Sequence, residues 1–544
     1  MIETDVLIAG AGPVGLTLAM DLAGRGIRVL QVEPRHFAEP PSVKSNHVSA
    51  RSMEAFRRLD VSGKVRAAGL PQSYPNDVVF RTSMCGTELA RIRIPGRAER
   101  YTSREGPDTW WPTPEPPHRI NQLFLEPILL KHTAALDGVT LLNRTRLESF
   151  TQAGDEVWAR LLDLDTGEDI AVRSRYLVGC DGGTSIVRKQ IGARLEGTAV
   201  VQRVQSSFIR APALLERMPG KPAWGYYAIN PRRCGTVFAV DGREKWLVHN
   251  HLNPDEPDFD SIPRDWSLRQ ILGVDEQFEY EMISNEDWVG RGLVADRFRD
   301  RNVFVAGDAA HLWVPYAGYG MNADIADALN LSWVLAARLQ GWGGEGMLDA
   351  YQAERQPITE QVSCFAMNHA AKMIKARGAV PPNIEDDTQE GREARERVGH
   401  EAYELNVQQF CCAGLNFGYF YKGSPIIAYD GEEAPSYTMG NFTPSSAPGC
   451  RAPHFWLDDG RSLYDAFGPG YTLIRFDSTV DVTSLAAAAA SNHVPLAVVD
   501  TGKAVVPEGY AHRLVLCRTD QHVAWRGDAV PSDVDGLVRL LRGG

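Results

Sequence analysis

Hydrophobic and polar positions follow two different periods along the first part of the chain. Val6 to Ala9 form a short apolar run that ends at a glycine, residues 13–25 place their leucines at helical spacing, and residues 27–32 are apolar again. The pattern predicts a strand, a helix and a second strand, which together make a βαβ unit.

The turn between the first strand and the helix carries a phosphate-binding pattern. It reads Gly10-Ala11-Gly12-Pro13-Val14-Gly15, a G-x-G-x-x-G in which glycines permit a tight turn, close approach of a pyrophosphate and close packing of helix on strand. Glu33 ends the second strand, where a carboxylate can accept hydrogen bonds from a ribose hydroxyl. The sequence predicts a dinucleotide site, and the alternative is a glycine-rich turn of an ordinary α/β sheet.

Three basic residues follow this unit and are candidates for contact with the same ligand. They are Arg35, directly after the second strand, and Lys44 and Arg51, near the start of a predicted helix that begins at Ser49. Cations in this position could approach a bound pyrophosphate, and equally they could be solvated surface charges.

The middle of the chain changes from helical to strand-like patterns. Strands are predicted at residues 78–94, 139–142, 157–164, 170–172 and 176–180, a helix at residues 121–133, and mostly strands over residues 200–285. Residues 302–308 read as a buried strand that ends in Gly307-Asp308, at the edge where α/β sheets bind ligands. A glycine turn then leads to a long helix over residues 323–339, with Asn322 as its expected N-cap.

The last third of the chain divides into two parts. Residues 351–421 are polar and helical, and an α/β pattern of thioredoxin-like size begins near Gly449, with strands at 472–475, 496–499 and 513–517. The sequence contains no internal repeat.

Composition narrows the class of partner. A chain of 544 residues that is 44% hydrophobic can bury a large core. The formal net charge of -12 disfavours nucleic acid and anionic membrane surfaces, and a small molecule fits better. Eight scattered cysteines without a C-x-x-C indicate neither a zinc site nor a disulfide framework, so no metal is expected. We expect a cytoplasmic protein without a membrane span.

Three features together resemble the class A flavoprotein aromatic hydroxylases, in their phenol hydroxylase branch. They are the N-terminal glycine turn with Glu33, the Asp181-Gly182 segment with Ser185 and Arg188, and Gly307-Asp308 with its downstream glycine turn. The start of the last unit, Gly449 to Pro453, resembles the family's thioredoxin-like C-terminal domain, although its C-x-x-C is absent.

The resemblance implies an α/β fold with a Rossmann-like FAD-binding domain, an inserted and mostly antiparallel substrate-binding sheet, and the thioredoxin-like domain. The expected boundaries are 1–75, 105–190 and 286–345 for the discontinuous FAD-binding domain, 76–104 and 191–285 for the substrate-binding sheet, 346–435 for a helical connection and 436–544 for the C-terminal domain.

The family's cofactor contacts carry over by position. The resemblance implies that Gly10, Gly12, Pro13, Gly15 and Glu33 hold the ADP half of FAD, and that Arg35, Lys44 and Arg51 also belong to the cofactor site. Further along the chain, Gln122 and Asp308 would contact FAD, and Asp181 would belong to a segment that the family uses for both FAD and NAD(P)H. Pro315 also belongs to the expected cofactor site, and Gly318, Gly320, Met321 and Asn322 would face the isoalloxazine ring. Relatives usually carry Pro-Pro and Gly-Gly where this chain has Val314-Pro315 and Ala317-Gly318, so flavin mobility is expected to differ.

The resemblance leaves the catalytic and substrate residues less defined than the cofactor residues. The catalytic candidates are His47, Tyr226 and Tyr316. The substrate-binding candidates are Tyr226, Tyr227, His249, Trp313 and Pro315, and His251 is a further candidate for hydrogen bonding to substrate. The alternative for the aromatic residues is that they are core or surface of an antiparallel sheet.

The implied reaction is NADPH- or NADH-dependent reduction of FAD, followed by hydroxylation of a phenolic or other electron-rich ring through a flavin C4a-hydroperoxide. The expected partners are a small aromatic substrate and O₂, and a homodimer is left open. No second G-x-G-x-x-G occurs, so no separate nicotinamide-binding domain is expected. The alternatives are a flavin monooxygenase or oxidase that opens or epoxidises a ring of a polycyclic metabolite, and a non-catalytic FAD-binding protein.

Overall fold

The computed structural model describes residues 1–502 and 506–544. Its strands, in chain order, are β1 (Ile2–Ala9), β2 (Val29–Glu33), β3 (His47–Val48), β4 (Val78–Arg81), β5 (Glu88–Ile92), β6 (His118–Arg119), β7 (Val139–Asn143), β8 (Thr145–Ala153), β9 (Glu156–Asp163), β10 (Asp169–Gly179), β11 (Leu195–Arg210), β12 (Gly225–Ala228), β13 (Gly235–Ala239), β14 (Lys245–His251), β15 (Glu281–Asn285), β16 (Trp288–Ala295), β17 (Arg299–Asp300), β18 (Val303–Val305), β19 (His311–Trp313), β20 (Tyr471–Arg475), β21 (Leu496–Asp500), β22 (Leu514–Arg518) and β23 (Val523–Gly527).

The helices, in the same order, are α1 (Pro13–Gly24), α2 (Ala50–Arg58), α3 (Ser62–Ala67), α4 (Gln122–Ala134), α5 (Ile186–Gln190), α6 (Leu214–Arg217), α7 (Arg264–Leu272), α8 (Gly320–Leu339), α9 (Glu345–Arg377), α10 (Gln389–Phe410), α11 (Ala413–Phe417), α12 (Thr483–Ser491) and α13 (Val534–Leu541). Short 3₁₀ turns occupy Gly307–Ala309, Tyr316–Gly318 and Leu463–Ala466.

An eight-stranded sheet holds the N-terminal βαβ unit. Its strand order is β17-β18-β10-β1-β2-β7, and the β8–β9 hairpin extends it from β10. Strand β1 runs parallel to both β2 and β10, and β10 runs parallel to β18. The predicted βαβ unit is therefore confirmed, and the carboxyl ends of β1, β10 and β18 bring Gly10, Cys180 and Ala306 to one edge of the sheet.

A nine-stranded sheet forms the second layer. Its order is β19-β16-β11-β14-β13-β12-β4-β5, with β15 on the free part of β11. All its pairs are antiparallel except the parallel pair β12–β4, which confirms the expected mostly antiparallel sheet. Strand β19 pairs with β16, so the chain crosses from the first sheet to the second directly after Asp308.

The C-terminal unit is a four-stranded sheet with two helices. The order is β21-β20-β22-β23, in which β20 and β21 are parallel and the other pairs are antiparallel. A βαβ element followed by two antiparallel strands and a helix is the expected thioredoxin-like arrangement. The fold class predicted from the sequence is confirmed, and the domain boundaries given above stay predictions.

The long helices α9 and α10 connect the sheets to this unit, as the polar helical pattern predicts. All eight cysteines are free thiols. Over residues 1–502 and 506–544, no helix combines the length and apolarity that crossing a membrane requires.

Candidate active site

The three glycines of the first turn have three different structural roles. Gly10 has a φ of +105°, and a Cβ on it would lie 2.3 Å from the carbonyl oxygen of Cys180. A Cβ on Gly15 would lie 2.2 Å from the carbonyl oxygen of Gly10, so this glycine permits α1 to pack on β1. A Cβ on Gly12 would meet nothing within 4 Å. Gly10 and Gly15 are therefore required by the fold, and Gly12 leaves space for a ligand.

That space belongs to a cavity of about 710 Å³ between the two sheets. One end lies at the N-terminus of α1, where the helix presents unpaired N–H groups and a positive dipole end. The other end is an aromatic chamber against the nine-stranded sheet. The predicted residues that line the cavity are Gly12, Pro13, Arg35, Lys44, His47, Gln122, Tyr227, His249, His251, Asp308, Trp313, Pro315, Tyr316, Gly318, Gly320 and Met321.

Glu33 is held as a carboxylate beside the glycine turn. Its Oε2 accepts a hydrogen bond of 2.8 Å from the backbone N–H of Ala11, and its Oε1 accepts one of 2.8 Å from Nε of Arg35. Burial alone would raise the pKa of Glu33, but the hydrogen bond and charge of Arg35 outweigh burial and lower the pKa below its ordinary value. Glu33 therefore stays ionised, as an acceptor for ribose hydroxyls requires.

Asp308 and the start of α8 line the middle of the cavity. Asp308 follows β18 in a 3₁₀ turn, and its side chain is exposed on the cavity wall. Gly318, Gly320 and Met321 surround the first turn of the 20-residue helix α8, whose first N–H groups have no partner within the helix. An electron-rich edge of a bound ring would find hydrogen-bond donors and a positive dipole end here.

His47 connects this helix start to the aromatic chamber. A Cβ on Gly318 would lie 3.1 Å from the Cβ of His47. The imidazole is buried, and neither of its ring nitrogens has a hydrogen-bond partner among residues 1–502 and 506–544. Burial, together with nearby positive charge, places the pKa of His47 well below its ordinary value, so the ring is neutral and has a free acceptor nitrogen.

The chamber wall contains five of the predicted substrate or catalytic residues. Burial lowers the pKa of His249 to about 4. The hydroxyl of Tyr316 donates to Oε1 of Gln202 at 3.3 Å. Trp313 stacks on His311 with ring centroids 4.9 Å apart. Tyr227 and Pro315 complete this group in the cavity wall.

Two predicted site residues lie away from the cavity. Tyr226 is a correction, because strand alternation places its ring on the opposite face of β12 from Tyr227. There it packs against Trp246, and its hydroxyl accepts a hydrogen bond of 2.7 Å from Ala223 N. Arg51 is a second correction, because its guanidinium turns to the C-terminal unit and donates to the carbonyl oxygen of Asp520 at 3.0 Å.

Asn322 and Asp181 act beside the cavity, as connectors of its walls. Asn322 is not the N-cap of α8, since the helix begins at Gly320. Its amide oxygen accepts from Ser49 N at 2.7 Å, and its amide nitrogen donates to the carbonyl oxygen of His47 at 3.1 Å. Asp181 accepts hydrogen bonds from the hydroxyl of Ser185 and the backbone N–H of Ile186, so its carboxylate caps α5.

Several cavity residues could not be identified from the sequence. Arg119 is the most distinctive, because it is a buried cation directly opposite His47 in the β3–β6 pair. The pair joins positions far apart in the chain, and no local pattern reveals it. The others are Gln202, Trp224, Phe238, Trp288, Gln409 and Phe410.

One buried group beside the cavity has the composition of a metal site. His311, Asp324 and Asp327 bring ligand atoms within 4.8 Å of one another. Asp327 already binds His311 Nε2 at 2.7 Å and Arg355 Nε at 2.7 Å. The guanidinium of Arg355 already balances the negative charge of Asp327, so these side chains form a hydrogen-bonded ion network.

Comparisons with known proteins agree with this geometry. Residues 3–366 match the family described as FAD binding domain, and residues 445–543 match the family described as aromatic-ring hydroxylase, C-terminal.

Among curated proteins, the chain is 30% identical to the FAD-dependent monooxygenase opdD of Penicillium oxalicum, over 91% of this chain and 98% of that protein. It is 31% identical to the aklavinone 12-hydroxylase RdmE of Streptomyces purpurascens, over 99% of each. A solved structure of the rebeccamycin biosynthetic enzyme RebC with reduced flavin superposes with a TM-score of 0.90 at 34% identity, covering 100% of this chain and 99% of that one.

Proposed function

The chain belongs to the family of FAD-dependent aromatic-ring hydroxylases, and from this premise we propose that it is an NAD(P)H-consuming monooxygenase that hydroxylates a phenolic or other electron-rich aromatic substrate. The observation that carries the proposal is the continuity of one cavity, which runs from Gly12 past Asp308 and the start of α8 into a chamber with aromatic walls. Cofactor and substrate would then share one space.

The residues present fit FAD. Gly12 leaves a place that a Cβ would fill, Glu33 is an ionised acceptor beside the turn, and α1 and α8 both direct their N-termini at the cavity. We propose that α1 and Glu33 would hold the ADP half, that Gln122 and Asp308 would contact the linker, and that Gly318, Gly320 and Met321 would face the ring system. FAD bound there would supply the redox chemistry, namely acceptance of hydride from NAD(P)H and activation of O₂ for transfer to an aromatic ring.

The protein's own contribution is to place the substrate, keep water out and hydrogen-bond the substrate hydroxyl. Trp224, Tyr227 and Phe410 form apolar walls of the chamber, and a dry site limits wasteful loss of activated oxygen. His47 would lie between the chamber and the flavin as a neutral ring with a free nitrogen, so it can accept a hydrogen bond from a phenol hydroxyl. Tyr316 and Gln202 offer further hydrogen bonds at the chamber's far side.

A second candidate within the same family is a monooxygenase or oxidase that acts on a polycyclic metabolite. The similarity to RebC and to aklavinone 12-hydroxylase, whose names refer to such metabolites, favours it. The large aromatic chamber is compatible with either substrate class.

The test is NAD(P)H oxidation by the FAD-loaded protein with and without phenols, combined with mass analysis of the product formed under ¹⁸O₂. Substrate-stimulated oxidation with one labelled oxygen in the product is expected for hydroxylation. A product that is oxidised without label indicates an oxidase. Protein that neither retains FAD nor oxidises NAD(P)H would refute the proposal.

A further inference from the structure

Arg119 carries a buried charge without a counter-ion. Arg119 is only 6% exposed, and no carboxylate of residues 1–502 or 506–544 forms an ion pair with its guanidinium. The acid whose charge acts on it most is Asp108, and that carboxylate already binds Arg100 at 2.7 Å in a buried pair. Arg119 therefore keeps its charge in a place where charges are normally paired.

The hydrogen-bonding capacity of this guanidinium is also largely unused. The one hydrogen bond that the described part of the chain provides is a long one, 3.5 Å from Nη2 to the carbonyl oxygen of Phe410. A guanidinium has five N–H donors in one plane and cannot lose its charge in a protein. Most of these donors therefore await a partner.

The free donors face the substrate chamber. The guanidinium carbon lies 4.3 Å from the ring centroid of Trp224 and 5.9 Å from that of Phe410, and Arg119 and both rings line the cavity. A guanidinium stacked on an aromatic face presents its N–H edge sideways, toward any group that shares the chamber. The cross-strand neighbour of Arg119 is His47, whose imidazole carries no negative charge and so is no counter-ion for the guanidinium.

We propose that Arg119 is the anion-binding residue of the substrate chamber, and that the substrate is an aromatic acid whose carboxylate it holds. The inference rests on the proposed function and specifies the substrate class for the same site. A carboxylate matches the guanidinium fork with two parallel hydrogen bonds. It also brings a permanent negative charge to a buried cation that lacks a counter-ion. A neutral phenol provides neither.

The probes are meta-hydroxybenzoate and its neutral counterpart meta-hydroxybenzamide, which share a phenolic ring and differ in charge. Dissociation constants are measured on the FAD-loaded protein from the change in flavin absorbance. We expect the wild type to bind the benzoate at least about tenfold more tightly than the benzamide. Arg119→Gln is expected to abolish this preference while changing the benzamide constant by less than about twofold.

Two further variants distinguish the effect of the Arg119 guanidinium from a loss of folding and from a general change of charge in the cavity. Arg119→Lys keeps the charge but loses the fork, so part of the preference should remain. Arg377→Gln removes a half-buried cation elsewhere on the cavity wall, which donates to Gln202 at 3.3 Å, and should leave the preference intact. Flavin content and melting temperature of each variant show whether the site itself is preserved.

Equal constants for the two probes in the wild type, including no binding of either, would overturn the inference. So would a preference that survives Arg119→Gln, or one that Arg377→Gln removes. An FAD-loaded wild type that oxidises NAD(P)H with phenols but shows no carboxylate preference would refute the inference alone and leave the proposed function standing.

Discussion

Gly12 is the glycine of the first turn at which a side chain would enter the cavity without meeting the protein. Its backbone is extended, with φ of -77° and ψ of -178°, and its Cβ position is open. We expect Gly12→Val to fold normally and to lose FAD, because the side chain would fill the place of the pyrophosphate. The measurement is the flavin-to-protein absorbance ratio together with the melting temperature of the FAD-free protein.

The matched control for this substitution is Gly24→Val. Gly24 ends the same helix, its Cβ position is equally open, and it lies outside the cavity. This variant should retain FAD. Full FAD occupancy in Gly12→Val would mean that the glycine serves only the turn.

Burial of His249 makes the free energy of unfolding depend on pH. Burial lowers its pKa to about 4 from an unfolded value near 6.5, so below pH 6.5 the unfolded chain binds a proton that the folded chain does not. Its contribution to stability is present in full above pH 6.5 and falls as the pH drops toward 4.

The variant His249→Phe removes this proton linkage. Between pH 7 and pH 5, the wild type should lose about 2 kcal/mol of unfolding free energy through this residue, and the variant should lose that much less. Urea unfolding of the FAD-loaded protein at both pH values measures the difference. An identical loss in wild type and variant would show that His249 is protonated, or exposed, in the folded state.

Short motifs in the sequence predict where local features lie, whereas residues that depend on registration between distant segments leave no such signal; the cofactor roles of the motif residues stay predictions. Gly12, Glu33 and Asp308 belong to short motifs, and each lies where its motif implies. Tyr226 and Tyr227 could not be told apart, because the phase of alternation in a short strand is set by pairing with β4 and β13. Arg119 is placed in the cavity by the pairing of β6 with β3, which sets it opposite His47.

The segment from β19 to the start of α8 is the element that closes the cavity beside the flavin site. Trp313 lies on β19, stacks on His311 and lines the cavity. We expect Trp313→Ala to keep substantial NAD(P)H consumption while releasing more H₂O₂ per NAD(P)H, because water gains access to the reacting oxygen. The measurement is peroxide formed per NAD(P)H oxidised.

The control is a buried tryptophan that lies away from the cavity. Trp342 is buried against Trp333 and Tyr471, away from the cavity. Trp342→Ala should lower stability by about 3–5 kcal/mol without changing the peroxide ratio. If Trp313→Ala also changed only the melting temperature, its role would be packing alone.

Elements with strong periodicity were predicted well, and their ends less so. The βαβ unit, α4, α9 and the C-terminal α/β pattern all follow from spacing of apolar residues. The start of α8 was predicted at residue 323 with Asn322 as its cap, whereas a 3₁₀ turn at Tyr316–Gly318 precedes a helix that begins at Gly320. Ala317 has a φ of +61°, and Asn322 bonds to His47 instead of the helix end. Such tertiary contacts override local capping preferences.

At the scale of the whole molecule, buried charges join the C-terminal domain to the helices α2 and α9. Arg518 on β22 is fully buried, and its Nη2 lies 2.8 Å from Oε2 of Glu354 on α9 and 2.7 Å from Asp520. Its guanidinium also lies 4.7 Å from the ring centroid of Trp333 on α8. A second buried pair, Arg451 with Glu54 at 2.6 Å, connects the same domain to α2.

These pairs predict that the C-terminal domain is a permanent part of the fold. Glu354→Gln preserves shape but removes the charge that faces Arg518, and breaking one partner of a buried pair typically costs 3–5 kcal/mol. We expect a loss of about 3 kcal/mol, near the lower end, because Asp520 continues to pair with Arg518. Asp465→Asn is the control, since its pair with Arg57 is partly exposed and should contribute no more than about 1 kcal/mol. Urea unfolding of both variants provides the measurement. A Glu354→Gln loss no larger than that of Asp465→Asn would mean that apolar packing, and not the buried pair, holds the domain in place.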